Sequence, residues 1–338
     1  MNRKNMISGV LFLALMFLTM FIIFKDNNIV TIWQEVKQLK PSYLFGTILT
    51  ALFFVSAEGM MIWYLLQALD CSTTLVGCIT YSFIGFFFSG ITPSATGGQP
   101  MQLYYMKKSG LRVSDSTVVL MTVALLYKFV IVLMGIGILF FFWGPLHSYL
   151  GNYIYLYYLG LFLNFFLVAV LLFVMINPRC FGSIVTAGER FLIKLHIVKL
   201  HIVKPSITRS EKLSEMVHNY HEAVLFFLRH KKHIACVMVF TTIQRCSLFF
   251  LTWLIYKGMG LSGHSLATVV LLQAAVYIAV DMLPLPGSQG ITELMYKTVF
   301  STVFPGTALV TSMCITRGIS FYFLLIISGL IMAVYRCK

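Results

Sequence analysis

The chain is built from apolar runs, each about as long as a bilayer is thick, and this feature decides most of what it can fold into. The runs fall at 6–24, 42–68, 75–92, 117–142, 152–176, 233–256, 266–283 and 307–335, with a shorter apolar piece at 291–304. A helix needs about 20 apolar residues to span the hydrocarbon. Of the 338 residues, 59% are hydrophobic and only 11% are charged, against about 25% charged in a soluble domain. Such a chain cannot cover its own surface with polar groups. The expected fold is all-α: one multi-pass transmembrane helical bundle over 1–338. Arg3 and Lys4 precede the first run and no small-residue cleavage site follows it, so 6–24 is expected to be a retained span. In the mixed stretch 31–40, Trp33, Val36 and Leu39 recur at helical spacing, which predicts a short helix lying in the membrane interface.

Lysine and arginine in the loops set orientation. The longest polar segment, 177–232, holds ten of them, among them Arg179, Arg190, Lys199, Arg209, Arg229, Lys231 and Lys232. Lys107, Lys108 and Arg112 form a second cluster, and Arg336 and Lys338 a third. With Arg3 and Lys4, all are expected on the cytoplasmic side. If 75–92 crossed completely, the clusters at 107–112 and 177–232 would fall outside. The conflict disappears if 75–108 enters from the cytoplasm and returns there, and 266–304 enters from outside and returns there. The result is about six full spans plus two oppositely oriented re-entrant hairpins, with both termini cytoplasmic. Lys25, Lys37, Lys40 and Lys257 remain outside, partly balanced by Asp26 and Glu35.

The turns of the two hairpins are unusual sequence. The first reads GITPSATGGQPMQ, with Pro93, Gly97, Gly98 and Pro100; the second reads DMLPLPGSQGITE, with Pro284, Pro286, Gly287 and Gly290. Proline removes a backbone donor and glycine frees the backbone, so both break helices. Broken backbone at membrane depth survives only where protein or water satisfies it. Paired Gly/Pro-interrupted segments mark the binding site in transporters made of inverted repeats. Two ordinary surface loops rich in turn residues are the simpler alternative, and the charge rule favours the hairpins.

Ionisable residues sit within or beside the spans: Glu58, Lys128, Arg245, Asp281, Glu293, Lys297 and Arg317. A charge at the bilayer centre costs about 2.5–3.5 kcal/mol on insertion scales, so such groups face the protein interior or a wet cavity. Lys128, Arg245 and Arg317 are candidates to meet an anionic head group. Glu58, Asp281 and Glu293 either neutralise those cations or receive a cationic head group.

The formal net charge of +14 fits an anionic leaflet, which 177–232 is placed to touch through the duplication KLHIVKLHIVK at 194–204. No nucleic-acid motif accompanies the charge, so no direct nucleic-acid partner is expected. The seven cysteines contain no CxxC pair and read as small hydrophobes. His147, His264 and the histidines of 196–233 lie in polar segments, and Tyr153, Tyr155, Tyr157 and Tyr158 read as an interfacial aromatic belt. No catalytic constellation, metal site or cofactor motif stands out.

The two turns also carry a family likeness. GITPSATGGQPMQLYYMKKSG at 90–110, together with PLPGSQGITE at 284–293, resembles the transmembrane region of the lysylphosphatidylglycerol synthase family. The matching positions are Thr92, Pro93, Gly97 and Gly98, with Gln99 beside them, then Pro286, Gly287, Gly290 and Glu293. Lys128 and Arg317 sit where such proteins commonly carry cations, and Ser288 stands where they usually have a further glycine. The resemblance implies a region that flips an aminoacylated phospholipid. In full-length members a soluble aminoacyltransferase domain makes that lipid from lysyl-tRNA and phosphatidylglycerol, giving resistance to cationic peptides. This sequence stops at Lys338, just after its last run, and such a domain is expected to be absent. The leading expectation is a lipid translocase for an anionic or aminoacylated phospholipid such as lysylphosphatidylglycerol. The alternative is a phosphatidylglycerol lysyltransferase working with a separate catalytic partner.

Overall fold

The computed structural model describes residues 34–37, 39–92, 95–177, 207–283 and 285–336, without the side chains of 207–213, 286 and 336. The expected first span at 6–24, the duplication at 194–204, and Pro93 and Pro284 lie outside the described residues. Within the interfacial stretch, 34–37 is helical.

Every regular element among the described residues is a helix. In chain order they are α1 (Pro41–Ala68), α2 (Leu75–Ile91), α3 (Gly98–Lys108), α4 (Val113–Phe141), α5 (Trp143–Leu150), α6 (Ile154–Ile176), α7 (Ile207–Arg229), α8 (Lys231–Gly258), α9 (Leu266–Val280), α10 (Ile291–Phe300), α11 (Ala308–Arg317) and α12 (Leu324–Arg336). Five runs are long and apolar enough to cross a membrane: α1, α4, α5–α6, α8 and α11–α12. The chain is a multi-pass membrane helical bundle. Local signals start the helices where they do. Pro41 opens α1, where its missing N–H costs nothing. The side chains of Thr74 and Ser265 cap α2 and α9, accepting from the Gly77 and Thr268 N–H groups at 3.1 and 3.2 Å.

α1 and α8 form the antiparallel spine. The Lys40 N–H donates to the Gly258 carbonyl, Gln244 Nε2 to the Phe54 carbonyl at 2.6 Å, and Tyr64 Oη lies 2.9 Å from His233 Nδ1. The C-terminus of α1 therefore sits beside the N-terminus of α8. α2 leaves from that end, and α3 returns to it. Ser109, just after α3, lies 2.8 Å from Tyr335 near the chain terminus, and both line a hollow with the start of α2. α9 leaves from the opposite end, after Gly258. α10 returns there, since Phe304 packs edge-on to Tyr256, which also meets His264. The short helices thus form two broken hairpins entering the bundle from opposite ends, as the loop charges predicted. Lys107, Lys108, Arg112, Arg229, Lys231 and Lys232 gather at a single end.

Small residues allow the hairpins to pack backbone to backbone. A Cβ on Gly59 would lie 2.4 Å from Ile79 Cα, joining α1 to α2, and one on Gly160 would lie 2.1 Å from the Ile278 carbonyl oxygen, joining α6 to α9.

Two features differ from the sequence reading. The segment 177–232 is not a plain polar loop, since α7 packs on α4 and buries Tyr220, Val224 and Phe227. These residues recur at helical spacing among charges, a pattern that overall polarity hides. Of the tyrosine belt, Tyr155 is exposed, but Tyr157 is fully buried and donates to the Gly135 carbonyl at 2.8 Å. It belongs to the core because the start of α6 packs against α4.

Cysteines introduced at Lys108 and Lys232, with the native cysteines replaced, should react with impermeant thiol reagent from the same face, and one at Gly306 from the other. Gly160→Ala should destabilise the bundle by about 1–3 kcal/mol through overpacking. Gly137→Ala, which meets no atom within 4 Å, should be near neutral in the same detergent unfolding assay.

Candidate functional site: a cavity where two broken turns meet

The first turn is held by its own side chains. Thr92 Oγ1 accepts from the Gly97 N–H at 2.9 Å and donates to the Phe88 carbonyl at 2.7 Å. Ala95 takes a left-handed φ of +54°. A Cβ on Gly98 would lie 2.0 Å from Ser89 Oγ and 2.8 Å from the Gly85 carbonyl oxygen, so only glycine lets α3 lie this close to α2.

The second turn is tighter. Gly287, Ser288 and Gly290 have φ of +58°, +50° and +83°. Ser288 thus holds a left-handed backbone where the family resemblance expects glycine. Its hydroxyl donates to the Val280 carbonyl at 3.1 Å. Glu293 Oε2 accepts from the Gly290 N–H at 2.7 Å, the reach-back half of a capping box, closing the start of α10. A Cβ on Gly287 would lie 2.4 Å from the Phe321 ring, which fills the space glycine leaves.

Between the turns lies a cavity of about 220 Å³. The first hairpin contributes Ser89, Gly90 and Ala95, and the second contributes Asp281, Gly287, Ser288 and Thr292. Arg317, Ser320 and Phe321 complete one wall. They sit where the last span passes into a π-helical segment, Gly318–Phe323, between α11 and α12. Such segments are common at functional sites.

Two ion pairs flank the second turn. Lys128 on α4 pairs with Asp281, whose other oxygen accepts from Tyr127 Oη at 2.8 Å; Tyr127 in turn lies 2.6 Å from Tyr277 Oη. Arg317 donates from Nε to Glu293 at 2.8 Å and from a terminal nitrogen to the Gly287 carbonyl at 3.0 Å. Buried pairs of this kind survive because further hydrogen bonds satisfy the remaining polar atoms. Arg245 differs. It is buried, stacks over Tyr127 and Phe54 at 4.0 and 4.6 Å, and donates to Gln244 Oε1 at 3.1 Å. Its Nε has no hydrogen-bond partner. Glu58 accepts from Gln102 Nε2 at 2.7 Å.

Of the residues singled out from sequence, Gly287, Asp281 and Arg317 line the cavity. Glu293 and Lys128 stand directly behind it through their ion pairs. Thr92, Gly97, Gly98 and Gly290 shape the turns rather than the wall. Arg245 does not line the cavity but stacks on the lining residue Phe54 and on Tyr127 behind Asp281. Gln99 is exposed in the first turn of α3, and Gln102, one turn on, is the buried member. Pro286 belongs to the turn, but its side chain lies outside the described residues, as does Pro93. Sequence reading missed Ser89, Tyr127, Tyr277, Gln273 and Ser320. Their one signal is polarity inside an apolar run. No group of three or more metal-ligating side chains converges among the described residues.

Asp281→Asn should cost about 3–5 kcal/mol of stability, because it leaves Lys128 buried and unpaired. Replacing both partners, Lys128→Met with Asp281→Leu, should recover most of that loss in the same unfolding measurement.

Residues 5–328 match the family model described as the lysylphosphatidylglycerol synthase TM region. A UPF0104 membrane protein from Pyrococcus horikoshii is 25% identical over 275 residues, 79% of this chain and 79% of that protein. With the match running through both broken hairpins and into the last described span, the chain belongs to the lysylphosphatidylglycerol synthase transmembrane-region family.

Proposed function

We propose that the chain is a lipid translocase that carries a phospholipid head group through the bundle while the acyl chains stay in the bilayer. One observation carries this reading: two broken turns, reached from opposite ends of the bundle, share one cavity, whose largely apolar wall carries Arg317, Asp281 and a set of hydroxyls. A head group dragged through bare hydrocarbon would lose its hydrogen bonds and charge partners, at several kcal/mol per group. Here it meets Arg317 and the hydroxyls of Ser89, Ser288, Thr292 and Ser320. Small movements of either hairpin expose the cavity to its own end, the alternating access of inverted-repeat transporters.

Substrate class follows from the charges together with the family. A phosphate suits Arg317, with Lys128 and Arg245 behind it. An aminoacyl amine suits Asp281, freed from Lys128, and then Glu293. An anionic or aminoacylated phospholipid such as lysylphosphatidylglycerol satisfies both. The basic end is cytoplasmic by the positive-inside rule, in a cell membrane of bacterial type. There the cations Arg229, Lys231 and Lys232 face the anionic leaflet.

The test is translocation of fluorescent lysylphosphatidylglycerol in proteoliposomes, scored by quenching of the outer-leaflet label. Movement should exceed that in empty vesicles and depend on the head group. Arg317→Gln should slow it about tenfold, equivalent to ~1.4 kcal/mol of barrier. Translocation no faster than in empty vesicles sinks the reading. Lysyl-lipid formation from lysyl-tRNA by the purified chain would instead support the lysyltransferase alternative.

A further inference from the structure

A second and larger hollow, of about 660 Å³, opens at the basic end between the foot of the first hairpin and α12. It is separate from the central cavity and shares no lining residue with it. One side is polar. Thr73 and Thr74 lead into the first turn of α2, and Ser109 and Tyr335, 2.8 Å apart, face them across the opening. The other side is apolar: Val76, Leu330 and Val334 line it while remaining 75%, 63% and 63% exposed.

No charged side chain of either sign lines this hollow, and the nearest cations in sequence flank its lining residues. Lys107 and Lys108, both exposed, end α3 immediately before Ser109. Arg112 follows Leu111, a lining residue, and keeps 65% of its side chain exposed while paired to Asp115. At the start of α2, Thr74 takes the Gly77 and Cys78 N–H groups, leaving those of Leu75 and Val76 at the positive end of the helix dipole. A hydroxyl-lined mouth at the basic end of the bundle, meeting a bare hydrocarbon-facing wall, has the polarity profile of one phospholipid standing upright in a leaflet.

We propose that this groove is a second lipid site. It takes a phospholipid from the leaflet at the basic end, with the phosphate against the α2 start and the Ser109–Tyr335 hydroxyls, and one acyl chain along Val76, Leu330 and Val334. The cations Lys107, Lys108 and Arg112 beside its lining residues favour an anionic head group, and the open apolar wall selects a lipid over a soluble anion, which would leave that wall uncovered. The site lies at the root of the hairpin that lines the central cavity, yet it stands on its own geometry and holds whether or not the chain translocates lipid.

The test uses the full chain in liposomes with phosphatidylglycerol carrying a photoreactive acyl chain, adducts being mapped by mass spectrometry. Adducts should concentrate in 72–81 and 330–335 and fall severalfold in Val334→Trp, a lipid-exposed change that leaves the core intact. The double variant Ser109→Ala with Tyr335→Phe should weaken them too, and Arg317→Gln in the central cavity should leave them unchanged. Diacylglycerol with the same photoreactive chain should label the segment severalfold less. Equal labelling by diacylglycerol, adducts spread evenly over the lipid-facing helices, or indifference to Val334→Trp would overturn the proposal. So would displacement by inorganic phosphate, which would mark the groove as a soluble-anion site.

Discussion

The structure depends on satisfying broken backbone where water is scarce. Each turn frees N–H and C=O groups that a continuous helix would have paired. Thr92 closes the first turn on itself, and Glu293, Ser288 and Arg317 close the second. Glu293 is therefore doubly committed: one oxygen caps α10 and the other holds Arg317. The Pro-Gly-x-x-Gly-x-x-Glu pattern reads as a recipe for a self-sufficient turn, with a cation from another span locked onto it. Whatever enters the cavity meets a wall already formed, not one that must be assembled at the cost of ordering it.

Charge is distributed unequally between the moving and fixed parts of such a machine. Asp281 and Glu293 both lie on the second hairpin, on either side of its turn. Lys128 and Arg317 lie on long spans. The hairpin is thus tethered by one ion pair at each shoulder. The first hairpin has no ion pair among the described residues apart from its exit at Arg112 and Asp115, and is held by Gln102 on Glu58 and by close glycine packing. The two halves repeat a span–hairpin–span plan with inverted direction, but they are fastened by different chemistry.

Much of this plan was legible in the sequence. Apolar run length set the spans within a few residues, and the conflict between loop charge and simple span counting required hairpins before any helix was placed. The pairings were not legible. Lys128 meets Asp281 across 153 positions, and Gln102 meets Glu58 across 44. Spacing along a helix reports only neighbours three or four residues apart. The burial of Gln102 was hidden for the same reason: motif adjacency pointed to Gln99 and the turn, while burial is decided by which side of α3 faces α1. α7 escaped because its apolar stripe is diluted by Glu211, Lys212, Glu215 and Glu222, so composition reads it as loop.

The π-helical segment at Gly318–Phe323 changes the bearing of everything after it. Each α-helical residue advances the azimuth by about 100°, so accommodating one surplus residue there turns α12 by roughly that angle relative to a regular continuation. The same span therefore shows its guanidinium to the protein interior at Arg317 and its aliphatic flank to hydrocarbon at Leu330 and Val334. Shortening 318–323 by one position would regularise the screw and swing that greasy flank toward the first hairpin, exchanging partners along half a membrane thickness without altering a single side chain beyond the excision.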